Sequence, residues 1–167
     1  MANERKAQRL LYDRYAPVML SVCRRYMGTS QAEDALQESF IRVFRYLVQY
    51  RHEGSFEGWL RRICVNTCIR LIQQSRRLMI EYAADNMPDL PVDPDALHQL
   101  QAEELLNLID RLPDGYRTVF NLSIIEGYSH KEIGDLLGIG ESSSRSQLTK
   151  ARKYMQRYLM APQKAAV

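Results

Sequence analysis

The sequence predicts an all-α protein made of two small helical domains joined by a flexible acidic linker. Apolar residues recur at helical spacing towards both ends of the chain, and no segment shows a convincing strand alternation. The charge pattern predicts the division. Residues 1–77 hold 14 Lys and Arg against 7 Asp and Glu, residues 78–110 hold 8 acidic residues and no basic one, and residues 111–167 hold 9 basic against 5 acidic.

The acidic segment also contains Pro88, Pro91 and Pro94. Proline interrupts a helix, so this stretch predicts an extended tether before the helical pattern returns near Leu97. An acidic tether between basic domains can compete with nucleic acid for their surfaces, or it can serve solubility alone. The predicted organisation is a first domain over 1–77, a linker over 78–97, a second domain over 98–161 and a tail over 162–167.

The first domain is predicted to contain three amphipathic helices. One extends from about Glu4 to Met27, with Pro17 as a break or kink. The next begins at Ser30, which with Glu33 forms a capping box. Its core stripe comprises Leu36, Phe40, Val43, Phe44 and Leu47.

A loop from Tyr50 to Phe56 leads into the third predicted helix, over residues 57–70. This region is rich in arginine and aromatic side chains, which bind the backbone and stack on unpaired bases in single-strand recognition. We expect Trp59 to be a core residue. Asn66 stands out because an amide among core and arginine positions is unfavourable unless it is exposed or paired.

A helix-turn-helix pattern occupies the second domain. Ser129 and Glu132 form a capping box, and Ile133, Leu136 and Leu137 supply an apolar stripe. Gly138 is suited to end that helix. The helix that follows is predicted to bury Leu148, Ala151, Met155 and Leu159, and to expose Ser142, Ser143, Ser146, Lys150, Lys153 and Arg157. Small hydroxyl side chains followed by basic ones favour docking on DNA over a merely solvated face.

Other function classes find little support. Cys23, Cys64 and Cys68 are too few for a disulfide framework, and we interpret them as buried thiols. No cluster has metal-ligand spacing, and no catalytic or cofactor-binding motif occurs, so we expect neither an enzyme nor a bound cofactor. No apolar run suits a bilayer and the amino terminus lacks a signal-peptide core, so we expect a cytoplasmic, nucleoid-associated protein without membrane insertion.

Two sets of motifs resemble one family. The segments 36–44 and 56–67 (LQESFIRVF and FEGWLRRICVNT) resemble region 2 of the extracytoplasmic-function, or group 4, sigma factors of bacterial RNA polymerase. The segment 112–120 (LPDGYRTVF), residues 126–129 (EGYS) and the helix-turn-helix resemble region 4 of the same family. The resemblance covers nearly the whole chain in the expected order.

The resemblance implies an alternative sigma factor, which binds core polymerase and directs transcription initiation at promoters with defined −10 and −35 elements. The implied partners are promoter DNA, the β′ clamp and β flap of core polymerase, and an anti-sigma factor. The implied polymerase-binding residues are Asp34, Gln37, Glu38 and Arg42. The implied −10 contacts are Tyr50, Arg51, Ser55, Arg62, Ile63 and Asn66, and the −35 contacts are Ser142, Ser143, Arg145, Ser146, Gln147 and Lys150.

Three residues depart from the family pattern. Gly140 stands where a Ser or Thr cap is common, and Ser144 stands where an apolar residue is common; its hydroxyl can loosen the packing or bond back to the preceding turn. Gln147 replaces a frequent Arg and suits adenine rather than guanine. An alternative interpretation is a stand-alone helix-turn-helix regulator. It accounts for residues 105–159 and leaves residues 50–66 without a role.

Overall fold

The computed structural model describes residues 2–75 and 102–160. The chain divides into two compact units, Met1–Ser75 and Arg76–Val167. In both units the described secondary structure is helical, as the sequence predicts. The predicted linker (78–97) and tail (162–167) lie outside the described residues.

The N-terminal unit is built from two long helices. Helix α1 (Ala2–Tyr46) contains one non-helical residue, Gly28 (φ 68°, ψ 179°), which separates it into a first and a second arm. A 3₁₀ turn (Leu47–Gln49) and a short loop lead to helix α2 (Phe56–Gln74). Helix α2 packs against α1. The buried side chains of this unit include Met19, Val22, Tyr26, Leu36, Phe40, Val43, Leu60, Val65, Ile69 and Ile72.

The predicted break at Pro17 and the predicted helix start at Ser30 are both wrong. The helix continues through Pro17, whose ring is exposed, and the break lies at Gly28. The second arm therefore follows Gly28 rather than beginning at a cap on Ser30. Gly28 adopts its positive φ without the clash that a Cβ atom would bring, which explains why the chain turns there.

The described part of the C-terminal unit, residues 102–160, contains four shorter helices: α3 (Ala102–Asp110), α4 (Asp114–Phe120), α5 (His130–Leu137) and α6 (Glu141–Met160). Residues Asn121–Ile125 continue α4 as a π-helical turn. Helix α6 packs against α3, α4 and α5. The core contains Ile109, Leu112, Val119, Leu122, Ile133 and Met155, each 1% exposed or less.

Local signals at both ends of α5 are confirmed. The Ser129 hydroxyl accepts from the backbone N–H of Glu132, and the Glu132 carboxylate accepts from the backbone N–H of Ser129. Gly138 ends the helix in the left-handed conformation (φ 69°). Gly134 is required for another reason: a Cβ atom there would lie 2.8 Å from the carbonyl oxygen of Ile139. The turn between α5 and α6 can therefore pass close to the helix.

The apolar side of α6 is shorter than predicted. Leu148, Ala151 and Met155 are buried, whereas Leu159 is 36% exposed.

Candidate nucleic-acid interface

The exposed face of α6 is turned relative to the predicted one. Ser142, Arg145 and Ser146 are exposed, in agreement with the DNA-binding prediction. Ser143, Gln147 and Lys150 are half-buried. The exposed stripe continues instead through Thr149 and Arg152, two positions outside the predicted DNA-binding set. Their spacing from Arg145, one helical turn for Thr149 and two for Arg152, was the available signal.

The buried Ser144 joins the two helices of the helix-turn-helix. Its hydroxyl lies 2.9 Å from Nδ1 of His130, the first residue of α5. It does not bond back to its own preceding turn, so that part of the prediction is wrong. The backbone N–H of Ser144 donates to the carbonyl of Gly140, the residue before α6. A buried polar bond of this kind fixes the angle at which α6 leaves the turn.

The loop before α2 is held by aromatic contacts. The ring of Tyr50 lies 5.1 Å from that of Phe56, 5.2 Å from that of Trp59 and 4.7 Å from that of His52, centroid to centroid. The Tyr50 hydroxyl donates to the carbonyl of Gly54 over 3.0 Å. His52 (φ 59°) and Gly54 (φ 81°) adopt left-handed backbone angles. For a non-glycine residue this is uncommon and clusters at functional sites.

Trp59 is half-buried, so the prediction of a core residue is wrong. The tryptophan stacks on Phe56 with an interplanar angle of 26°. Its ring packs beside Tyr50 at the edge of the helices, because the loop folds back over the start of α2. These rings form an aromatic platform, defined as Tyr50, His52, Phe56 and Trp59.

The predicted −10 residues occupy this loop and one side of α2. Ser55 caps α2, since its hydroxyl accepts from the backbone N–H of Gly58 over 3.0 Å. Arg51, Arg62 and Asn66 are exposed, and Ile63 is half-buried. The spacing of four residues puts Arg62 and Asn66 on the same face. The exposed amide of Asn66 is therefore available to a partner without any cost of burial.

The predicted polymerase-binding residues of α1 separate into two pairs. Asp34 and Gln37 are exposed, whereas Glu38 and Arg42 are half-buried. Oε1 of Glu38 accepts from Nε of Arg42 over 3.1 Å and from Nη2 of Arg70 over 2.8 Å. Because Arg70 belongs to α2, this carboxylate ties the two helices together. Arg70 lies one turn beyond Asn66, on the same face of α2.

The three cysteines meet inside the N-terminal unit. All are buried free thiols, as predicted, and the Cys23 side chain contacts Cys64 and Cys68. Contact with Cys23 and burial raise the pKa of the Cys64 thiol, which keeps it protonated and unreactive. Among residues 2–75 and 102–160, no group of His, Cys, Asp and Glu side chains could hold a metal ion.

Both units match models of one protein family. Residues 11–78 match Sigma-70 region 2, and residues 102–155 match Sigma-70, region 4. The chain is 30% identical to the ECF RNA polymerase sigma-E factor of Salmonella typhimurium over 163 residues, which span 90% of this chain and 85% of that protein. The chain belongs to the ECF RNA polymerase sigma factors. It is an alternative sigma factor, which directs promoter-specific transcription.

Further relatives carry related names. The sigma factor is 28% identical to the ECF RNA polymerase sigma-E factor of Haemophilus influenzae, over 92% of this chain and 88% of that one. It is 34% identical to the ECF RNA polymerase sigma factor SigE of Mycolicibacterium smegmatis over 133 residues, which cover 77% of this chain and 51% of the longer relative. The chain thus spans about half the length of the mycobacterial protein.

A solved structure shares the fold. The sigma factor RpoE of Bartonella quintana, crystallised with the anti-sigma factor NepR, aligns with a TM-score of 0.53 and 15% identity over 94% of this chain and 99% of that one. In the part of the chain that the structure describes, no helix is long and apolar enough to cross a membrane.

Proposed function

We propose that the two units divide promoter recognition between them. In this proposal residues 1–77 bind core polymerase and the −10 element, residues 98–161 read the −35 element, residues 78–97 are the linker and residues 162–167 a tail. The order of the two family matches along the chain supports this division.

Helix α6 is the proposed −35 reader. The observation that carries this assignment is the exposed stripe of hydroxyl and guanidinium groups that begins at Ser142 and continues through Arg145, Ser146, Thr149 and Arg152. A recognition helix enters the major groove with its N-terminal residues towards the bases and its later residues towards phosphates. Ser142, Arg145 and Ser146 are then base contacts, while Arg152 takes a phosphate. The half-buried Ser143, Gln147 and Lys150 flank the stripe.

The −10 element is proposed to bind at the aromatic platform and the adjoining face of α2. An unpaired base needs a flat surface for stacking and a polar group for its edge. Tyr50 and His52 offer the flat surface for stacking, and the exposed amide of Asn66 offers the polar group for the base edge. Arg51 and Arg62 are exposed and neutralise phosphates. Ser55 at the start of α2 and the half-buried Ile63, about two turns along it, complete the proposed −10 surface.

Asp34 and Gln37 are the proposed direct contacts to core polymerase, because both are exposed on the second arm of α1. Glu38 and Arg42 act through the ion cluster with Arg70, which fixes that arm against α2. The proposed partners are the β′ clamp for this surface, the β flap for the C-terminal unit, promoter DNA, and an anti-sigma factor. We propose a cytoplasmic protein that acts at the nucleoid without chemistry of its own.

Run-off transcription tests the proposal. Core polymerase is mixed with a randomised promoter library, with and without the sigma factor. We expect protein-dependent transcripts that share two spaced elements. Duplex binding without polymerase is the control, since a stand-alone regulator would shift promoter DNA by itself. Absence of transcripts together with failure to retain core polymerase in a pull-down would contradict the proposal.

A further inference from the structure

An acidic side chain lies at the DNA-facing end of α6. Glu141 is the first residue of the helix, and Nη2 of Arg145 donates to its Oε1 over 2.5 Å. The two side chains are 45% and 59% exposed, so both are open to a ligand. A carboxylate on a phosphate-facing surface is repelled by DNA. If α6 docks on DNA as proposed, Glu141 needs an interaction that offsets this repulsion.

The geometry of the Glu141–Arg145 pair provides such an interaction. A guanidinium group has five N–H donors, and the bond to Glu141 uses one of them. A bidentate contact with O6 and N7 of guanine needs two more, so Arg145 can hold Glu141 and a guanine together. Because the carboxylate already restricts the guanidinium, less rotamer freedom remains to be lost when the base binds.

We propose that Glu141 is a specificity-determining positioning residue, which holds Arg145 in the orientation that reads a guanine of the −35 element. The inference rests on the proposed function, since the docking of α6 on that element is itself proposed. The pair also stabilises the helix as an ordinary i, i+4 ion pair. Helix stabilisation alone changes the unfolding midpoint and leaves the base preference of the protein unaltered.

The test is transcription by the full-length sigma factor with core polymerase on promoters randomised in the −35 element. Arg145→Ala is expected to reduce the preference for guanine at one position about tenfold. Glu141→Ala is expected to lose a comparable preference at the same position, and Glu141→Gln part of it, because the amide oxygen still accepts one hydrogen bond. In the double variant Glu141→Ala/Arg145→Ala the loss should be no larger than in Arg145→Ala.

Asp135→Asn is the matched control, because it removes one exposed carboxylate from the neighbouring helix α5. It should keep the wild-type preference. Unchanged guanine preference in Glu141→Ala, or additive losses in the double variant, would overturn the inference. Loss of a cytosine preference instead would mean that Glu141 contacts a base directly, which also overturns it. If the wild-type protein itself showed no preference for any −35 sequence, the proposed function would be contradicted, and this result is distinguishable from the failure of the inference about Glu141.

Discussion

In the N-terminal unit the proposed DNA contacts lie on an irregular segment that aromatic rings hold in place, whereas in the C-terminal unit they lie on one continuous helix. The loop around Tyr50 needs left-handed backbone angles at His52 and Gly54 and the packing of Trp59 to keep its shape. Helix α6 is held by its buried side and by the Ser144–His130 hydrogen bond. The difference matches the two tasks: a base taken out of the stack requires a shaped pocket, whereas a major groove accepts a helix.

One ion pair in the C-terminal unit is more buried than the ion cluster around Glu38 in the N-terminal unit. In the C-terminal unit Nη2 of Arg117 donates to Asp114 over 2.6 Å and to the carbonyl of Leu112 over 3.1 Å, with the Arg117 side chain only 10% exposed. In the N-terminal unit the cluster around Glu38 is about one-third exposed. A buried pair is costly to break, whereas solvent screens an exposed one.

The largest predicted effect on stability comes from a substitution at Asp114. Asp114→Asn leaves the buried guanidinium of Arg117 without its counter-charge, and we expect the free energy of unfolding of the C-terminal unit to fall by about 3 kcal/mol. Urea unfolding followed by circular dichroism measures it. Glu38→Gln is the matched comparison and should cost the N-terminal unit less than about 1 kcal/mol. Equal losses would mean that exposure does not distinguish the two pairs.

Two variants test which side chains of α6 contact bases and which contact phosphates. Arg145→Ala and Lys150→Ala should each weaken promoter binding by about 1–3 kcal/mol if they contact bases. Because Lys150 is half-buried beside the exposed stripe, we expect its loss to be similar on all sequences, as for a phosphate contact. Binding of holoenzyme to promoters with single −35 substitutions measures both effects. A sequence-dependent loss for Lys150→Ala would make it a base contact.

A substitution at Asn66 tests the proposed −10 surface of the N-terminal unit. Asn66→Ala removes an exposed amide, so we expect unchanged stability and unchanged affinity for core polymerase, with promoter opening weakened by about 1 kcal/mol for the lost hydrogen bond. Permanganate reactivity of the melted strand reports opening, and a pull-down reports polymerase binding. Weaker polymerase binding would instead show that Asn66 belongs to the structural frame.

The smallest expected effect concerns the cap of α5 and its pH dependence. Ser129→Ala should cost the helix-turn-helix about 1 kcal/mol at neutral pH. Hydrogen bonds from the hydroxyl and the backbone N–H of Ser129 lower the pKa of Glu132 below its ordinary 4.5. A lowered pKa in the folded state means that this stabilisation is present above pH 4.5 and is lost as the pH falls through the folded-state value. Unfolding curves of wild type and Ser129→Ala should therefore differ less at acidic than at neutral pH, and the remaining difference is the hydrogen bond from the backbone N–H of Glu132 to the Ser129 hydroxyl.

The sequence by itself determined the features that depend on neighbours along the chain. The all-α class follows from helical spacing of apolar residues, and both ends of α5 follow from Ser129, Glu132 and Gly138. These signals act within a few residues, so they are readable without knowing the fold. Helical geometry was less reliable for the exposed face of α6: Ser142 and Ser146 are exposed as predicted, whereas Ser143, Lys150, Lys153 and Arg157 are half-buried.

Only the tertiary structure decided the features that join distant residues. Glu38 meets Arg70 across 32 positions, Ser144 meets His130 across the turn, and three thiols converge from two helices. Trp59 is half-buried because the loop folds back over it, and Gly28 rather than Pro17 breaks α1. These outcomes depend on how helices pack and how much chain is available to cover them, which no local pattern records.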